Sequence, residues 1–376
     1  MKGKQLIMNN PNLIYQIAST LIKGIGNITA KQAIESLGDV SLLFTEKAHR
    51  LERIPGISRK IIAEIHRPEV LRRAEQEVAF IEKNKITTLF IQDANYPQRL
   101  KECVDAPVLL YFRGEADLDA QKIISIVGTR NASPYGKEMT NTLIQDIAKT
   151  YPETIVVSGL AYGIDICAHK AALKNQLPTV GVLAHGLDRI YPHVHRNVAV
   201  QMLEKGGLLT DYLSETNPDR QNFVKRNRIV AGIADCTIVV ESAEKGGALI
   251  TASIADTYNK DVFAIPGKVT DSWSVGCNSL IKYKKAALIT CAQDIFREMC
   301  WDETREKQKP VVQRSLFPDL TPEEQSVVDL LADRQIQLNT LCIELNLPVS
   351  QLAPLLFELE MKGVVRCMPG GMYRLL

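Results

Sequence analysis

The eight cysteines of this 376-residue chain include no CxxC pair, so neither a zinc spacing nor a dithiol redox motif is present. They are scattered from Cys103 to Cys367, and most, like Cys236 and Cys342, stand beside apolar residues, as buried thiols of a reducing compartment do. Neither GxGxxG nor GxxxxGK[ST] occurs, which disfavours a dinucleotide-binding turn and a P-loop. Ser158 and Ser242 have no GxSxG setting and no evident base, so acyl transfer has no support. No apolar run approaches the roughly 20 residues of a membrane span. Behind Lys2 and Lys4, the residues Asn9, Asn10, Pro11 and Asn12 interrupt what would have to be the apolar part of a signal peptide. The expectation is a cytoplasmic protein with no membrane partner. Charge of one sign is scarce too: 45 Lys and Arg against 43 Asp and Glu leave a net +2, too little to draw the whole molecule to a polyanion. Any such site must come from local clustering.

What is present is an ordinary globular composition, 45% apolar and 23% charged, on a chain long enough for two or three domains with a well-buried main core. Leu13, Ile14, Ile17, Ala18, Leu21 and Ile22 recur at helical spacing, and Lys23-Gly24-Ile25-Gly26 breaks the pattern before a second helix near Thr29. Ile54-Pro55-Gly56-Ile57-Ser58 precedes another helical stretch. Both are helix–hairpin–helix candidates, in which a Gly-rich hairpin turns backbone amides to a phosphate; the same glycines also suit a tight connection between packed helices. A further helix is expected over 69–85, and strands over 87–91 and 108–112.

From Ile123 the rhythm becomes strand, Gly-bearing loop, helix. Residues 123–127, 155–157, 179–183, 237–240 and 262–265 are apolar and rich in β-branched side chains, with amphipathic helices between most of them. This predicts an α/β fold whose parallel sheet is covered on both faces. Ligands on such sheets sit outside the carboxyl ends of the strands, here at loops 128–133, 158–163, 184–192 and 242–247. Residues 297–319 read as a charged, proline-flanked linker. Thr321-Pro322-Glu323-Glu324 then starts a helix with a cap, an N1 proline and first-turn acids. Two more helices and a hairpin across Pro369-Gly370-Gly371 complete a winged-helix pattern. Its third helix carries Glu358 and Glu360 against Lys362, which favours protein docking or regulation over reading DNA.

The strongest local signal is 221–241, QNFVKRNRIVAGIADCTIVVE. Between Arg220 and Val230 stand Arg220, Lys225, Arg226 and Arg228 with no carboxylate. Ile229, Val230 and Ile233 should face a core, so the cations should face an anion. A solvated surface face is the bland alternative. Phe223 argues against it, because one ring among cations is what a single strand needs: ions for phosphates, a ring for a base. Arg220, Phe223 and Arg226 are spaced by three and should form one stripe. Arg228 is expected to pair internally with Glu241 or Asp235. Asp165 and His169, four apart, read as a structural pair rather than a metal or acid–base site, and His185, His193 and His195 share one loop without a ligand pattern.

Phe223, Arg226-Asn227-Arg228, Gly247-Ala248-Leu249-Ile250-Thr251-Ala252, Val262-Phe263-Ala264-Ile265-Pro266-Gly267 and Gly276-Cys277-Asn278-Ser279-Leu280-Ile281 occur in order. Val127-Gly128-Thr129-Arg130, Ser158-Gly159-Leu160-Ala161-Tyr162-Gly163-Ile164-Asp165 and Gly186 through Tyr191-Pro192 precede them. Together they resemble the signature of the DNA-processing protein A family (DprA, also called Smf). The resemblance implies a small SAM or helix–hairpin–helix-like N-terminal domain (1–84), a central extended Rossmann-type domain that binds single-stranded DNA (85–296), a linker (297–319) and a winged helix (320–376). It implies a DNA pocket drawn from Gly128, Thr129, Arg130, Ser158, Gly159, Arg220, Phe223, Arg226, Asn227 and Asn278, with no catalytic residue, metal or cofactor. It further implies a homodimer that loads a RecA-type recombinase onto incoming strands in natural transformation. Two departures stand out: Ala248 where Ser is common, and Val224 for a frequent proline. The competing reading is an enzyme similar to nucleotide phosphoribohydrolases. Their Pro-Gly-Gly, later Gly-Thr and helix-borne Glu are missing from Lys245-Gly246-Gly247-Ala248-Leu249.

Overall fold

The computed structural model describes residues 12–301, 320–332, 334–368 and 371–375. They form two compact units that divide between Met299 and Cys300.

The first unit is organised by a nine-stranded sheet of β1 (Thr87–Phe90), β2 (Leu109–Gly114), β3 (Ile123–Val127), β4 (Ile155–Ser158), β5 (Thr179–Val182), β6 (Gly207–Thr210), β7 (Cys236–Val239), β8 (Asp261–Ala264) and β9 (Ala287–Leu288), in the order β1-β2-β6-β5-β4-β3-β7-β8-β9. From β6 to β9 in that order every pairing is parallel; β1 and β2 extend the sheet beyond β6 as an antiparallel edge. All five strands expected of the parallel sheet are present, as are β1 and β2. β6 and β9 were not foreseen. The central strands are buried along their whole length, as continuous apolar runs require. One polar pair crosses the sheet, Ser125 Oγ to Thr237 Oγ1 at 2.8 Å, with both hydroxyls fully buried and satisfied.

The chain leaves β3 towards β4 and β5 on one side and runs from β7 to β8 and β9 on the other. Right-handed crossovers therefore place helices Pro134–Thr150 and Ile164–Lys174 on one face and Gly247–Thr257 on the opposite face, where Arg220–Ile233 packs beside it. The first of these starts where the sequence dictates: Ser133 Oγ accepts from Gly136 N at 3.0 Å, and Pro134 occupies the first turn.

The N-terminal helices share this unit's core. Ile17 and Ala18 of Leu13–Leu21 and Ala74 and Ile81 of Pro68–Asn84 belong to one buried cluster with Tyr111, Val157 and Val239, so the core crosses the boundary expected at residue 84. Arg73 and Glu77 of the latter helix pair at 2.8 Å, and Glu77 accepts from Ser214 N at 2.9 Å in the chain leading to Arg220. Both Gly-rich hairpins turn at a left-handed glycine, Gly24 at φ +89° and Gly56 at φ +85°, and Ile22, Ile54 and Ile57 share one buried cluster. At the other end, Arg297 and Glu298 close helix Ala292–Glu298 instead of opening a linker, and Ile295, Phe296 and Trp301 are buried. The rest of that expected linker, 302–319, lies outside the described residues.

The second unit, taken by itself, has helices Pro322–Leu331, Leu338–Leu345 and Val349–Met361 beside a three-stranded sheet of β10 (Ile336–Gln337), β11 (Val365–Met368) and β12 (Met372–Leu375). Thr321 and Glu324 form the reciprocal cap read from the sequence, and Lys362 reaches the buried Glu324 carboxylate at 2.6 Å. Leu352, Leu356 and Leu359 fill its core. The expected turn at Pro369-Gly370 lies outside the described residues. Among those described, no single helix is long and apolar enough to cross a membrane.

Candidate nucleic-acid interface

β3 and β7 are neighbours whose onward connections run in opposite directions, so their carboxyl ends bound the crevice of the switch point. The loop after β3 is laced to its surroundings. Thr129 N donates to Glu241 O (2.7 Å), Ser133 N to Glu241 Oε2 (2.9 Å) and Ile164 N to Thr129 O (3.1 Å). Gly163 lets the next loop approach: at φ +77° it sits where a Cβ would meet Thr129 O and the Arg130 carbonyl. With its backbone held on both sides, this loop presents the Arg130 side chain to solvent.

Helix Arg220–Ile233 crosses behind that loop. Arg220 is exposed near its start. Phe223, half-buried one turn on, lies with its ring 5.4 Å from the Arg130 guanidinium carbon and 6.0 Å from the Tyr191 ring, which meets it edge-on. Tyr191 itself is about half exposed. Its loop is fixed by His185, which bonds Gly186 O through Nδ1 (2.8 Å) and accepts from Tyr191 N at Nε2 (3.2 Å). Burial pushes the His185 pKa down, consistent with the neutral ring these two contacts require.

Arg226 occupies a different environment from that expected of the stripe. Only 4% exposed, it donates from Nη1 to Gly159 O at 2.9 Å and to Val182 O, tying the ends of β4 and β5 to the helix. A step of three residues falls about 60° short of a full helical turn. From Arg220 through Phe223 to Arg226, the stripe therefore rotates from solvent, past the rim, into the face shared by Ile229, Val230 and Ile233. The guanidinium and the Asp165 carboxylate both crowd Gly159, where a Cβ would stand 2.4 Å from Arg226 Nη1 and 2.5 Å from Asp165 Oδ2; only glycine fits. Burial pushes the Asp165 pKa up and the Arg226 pKa down, and the attraction between them opposes both shifts.

The remaining candidates sort by what their polar atoms touch. Ser158 is fully buried and donates to Ile126 O at 2.6 Å. Asn278 accepts from Gly267 N (3.2 Å) and donates to Gly267 O (3.0 Å), clasping the loop after β8. Asn227 reaches Gly247 O at 3.5 Å. Arg228 pairs with Asp211 at 2.5 Å and donates to Asp105 O; Asp235 instead pairs with Arg99, also at 2.5 Å, and Glu241 receives Ser133 N. The expected partners of Arg228 are thus corrected, and Asp211 carried no sequence signal. Tyr191 joins the site without a sequence motif of its own; a loop aromatic at a strand's carboxyl end is the available clue.

His169 is fully buried, its Nδ1 2.7 Å from Thr179 Oγ1, and burial lowers its pKa to about 3. With Asp165 buried as well, the two present no acid–base pair at the surface. No group of three His, Cys, Asp or Glu among the described residues is placed to hold a metal ion.

Residues 87–300 match the family model of DNA recombination-mediator protein A, and residues 314–371 that of the DprA winged-helix domain. The chain is 39% identical over 215 residues to the DNA processing protein DprA of Bacillus subtilis, covering 57% of this chain and 71% of that one. It is 31% identical over 329 residues to protein Smf of Escherichia coli, covering 81% and 84%. The X-ray structure of DprA from Streptococcus pneumoniae superposes with a TM-score of 0.61 at 32% identity, over 76% of this chain and 97% of that one. A structure of the Helicobacter pylori protein, described for its single-stranded DNA binding mode, superposes with a TM-score of 0.52 at 30% identity, over 58% and 97%.

Proposed function

The chain belongs to the DNA recombination-mediator protein A (DprA/Smf) family of DNA-processing proteins, and from that premise we propose that it binds single-stranded DNA at the Arg130–Phe223 site and performs no chemistry on it. The observation that carries the proposal is a ring at the switch-point crevice, flanked by the Arg130 guanidinium and a second ring, Tyr191. A base can stack on Phe223 while Arg130 and Arg220 meet the phosphates on either side. A duplex keeps its bases stacked and cannot reach the ring, so the site favours single strands. Arg226, Ser158 and Asn278 take part indirectly, holding the loop ends and the helix that frame the ring.

On the same premise the protein acts in the cytoplasm as a homodimer that loads a RecA-type recombinase onto incoming strands during natural transformation. That part rests on the family resemblance. The decisive experiment titrates the full chain with single-stranded and duplex DNA of equal length at several salt concentrations. Tighter binding of the single strand, with a salt slope set by a few phosphates, is the expected result. Equal affinity for the two forms would sink the proposal.

A further inference from the structure

Beyond Ser133, on the β8 side of the crevice, lies an open groove of about 850 Å³. Its walls are Tyr135, at the start of helix Pro134–Thr150, and the loop after β8 that carries Pro266, Lys268 and Asp271. The Tyr135 ring is 42% exposed and held in place, its hydroxyl donating to Pro266 O at 2.7 Å. That loop is itself pinned through Gly267 by Asn278. Lys268 is exposed, with no ion-pair partner among the described residues. Both Asp271 oxygens are engaged, Oδ1 by Trp273 N and Oδ2 by Ser274 Oγ. At the helix end Ser133 N goes to Glu241, Gly136 N goes to Ser133 Oγ and Pro134 has no donor, so few of its amides face the groove. The groove therefore offers a fixed aromatic face and one cation, with the Asp271 carboxylate held back by its own loop.

We propose that this groove is a second base subsite, in which a nucleotide further along the same single strand stacks on Tyr135 and gives its phosphate to Lys268. Continuity argues for the strand as occupant. Arg130 and Tyr135 belong to one stretch of chain, at most about 18 Å from end to end. A strand leaving Phe223 past Arg130 reaches the groove within a few nucleotides. The two subsites share a composition, ring plus cation, that suits any base.

The proposal rests on single-strand binding at Phe223, and its test separates the two. Oligothymidylates of roughly 4 and roughly 16 nucleotides, the span of common site sizes, are titrated by anisotropy against the full chain. Phe223→Ala should weaken both. Tyr135→Ala should weaken only the longer one, by about 5- to 150-fold, as expected for loss of one stack. Tyr135→Phe keeps the ring and should bind like the parent. Lys268→Gln, at the surface and harmless to the fold, should flatten the salt slope of the longer oligonucleotide by about 0.7 and leave the shorter one unchanged. If Tyr135→Ala and Lys268→Gln bind the longer strand normally, or weaken both lengths alike, the groove is no subsite. If the parent binds neither length, the underlying reading falls with it.

Discussion

Phe223 and Phe357 both reach the surface, and they differ in what surrounds them. At the switch point Phe223 is flanked by Arg130, near Tyr191, with exposed Arg220 one turn away. On the third helix of the winged-helix unit Phe357 is 64% exposed beside Met361, with Glu358 and Glu360 as its charged neighbours. No described cation lies over the Phe357 ring. Phe357 is the more exposed of the two rings, so exposure cannot be what defines a base platform. Charge decides: phosphates flanking a base would be drawn to the first ring and repelled from the second. The second surface, apolar with acidic flanks, has the composition of a protein-docking helix.

A harsher contrast lies within helix Arg220–Ile233, between its exposed first arginine and its buried second. Arg226→Ala should strip the Gly159 and Val182 carbonyls of a donor and leave the buried Asp165 without its cation, costing on the order of 3 kcal/mol in urea unfolding. Arg220→Ala should unfold at the parent midpoint. Equal stability of the two variants would mean that Arg226 is no fastener and the stripe is uniform after all.

The ring comparison sharpens next. Phe223→Ala should lose about 1–3 kcal/mol of single-strand affinity with the salt slope unchanged, since a stack carries no charge. Phe357→Ala should leave single-strand affinity as it was. A loss at Phe357 comparable to that at Phe223 would show that charge does not discriminate the two surfaces.

The cations at the first surface follow with a smaller effect. Arg130→Ala and Arg220→Ala should each flatten the dependence of log affinity on log salt by about 0.7, the counterion released per phosphate on a single strand. Both are exposed, so near-parent stability is expected in the same unfolding assay. An unchanged slope for either would remove it from the DNA path.

How much of this could be read from the chain depends on how local the signal is. The five parallel strands were legible because β-branched runs of that length have few other uses. β6 gives little signal because it has only four residues and begins at Gly207 next to Gly206; β9 gives none because it is two exposed residues, placed only by pairing with β8. The basic helix and its ring were legible from charge and spacing, whereas Arg130 stood out only through the family resemblance. The inward turn of Arg226 was in principle available from the helical phase, once Ile229, Val230 and Ile233 had fixed the buried face. The partner of Arg228 was not: Asp211 lies at the end of β6, the strand that was missed, and no spacing links it to residue 228.

The smallest expected effect tests the second surface by removing it. A chain ended after Trp301 keeps helix Ala292–Glu298 with its buried Ile295 and Phe296, whereas a cut after Asp294 would remove both and confound any binding measurement. The shorter protein lacks Phe357, Met361 and the acidic pair but retains Arg130, Arg220, Phe223 and the Tyr135 groove. Its single-strand affinity and salt slope should match the parent within error, because the removed helix brings carboxylates that phosphates avoid and no cation over its ring. A modest gain at low salt would fit as well, since removing like charge lowers repulsion and the gain would vanish as salt screens it. A large loss of affinity, with the unfolding midpoint of the first unit intact, would reverse the assignment of the two surfaces and place DNA on the winged helix.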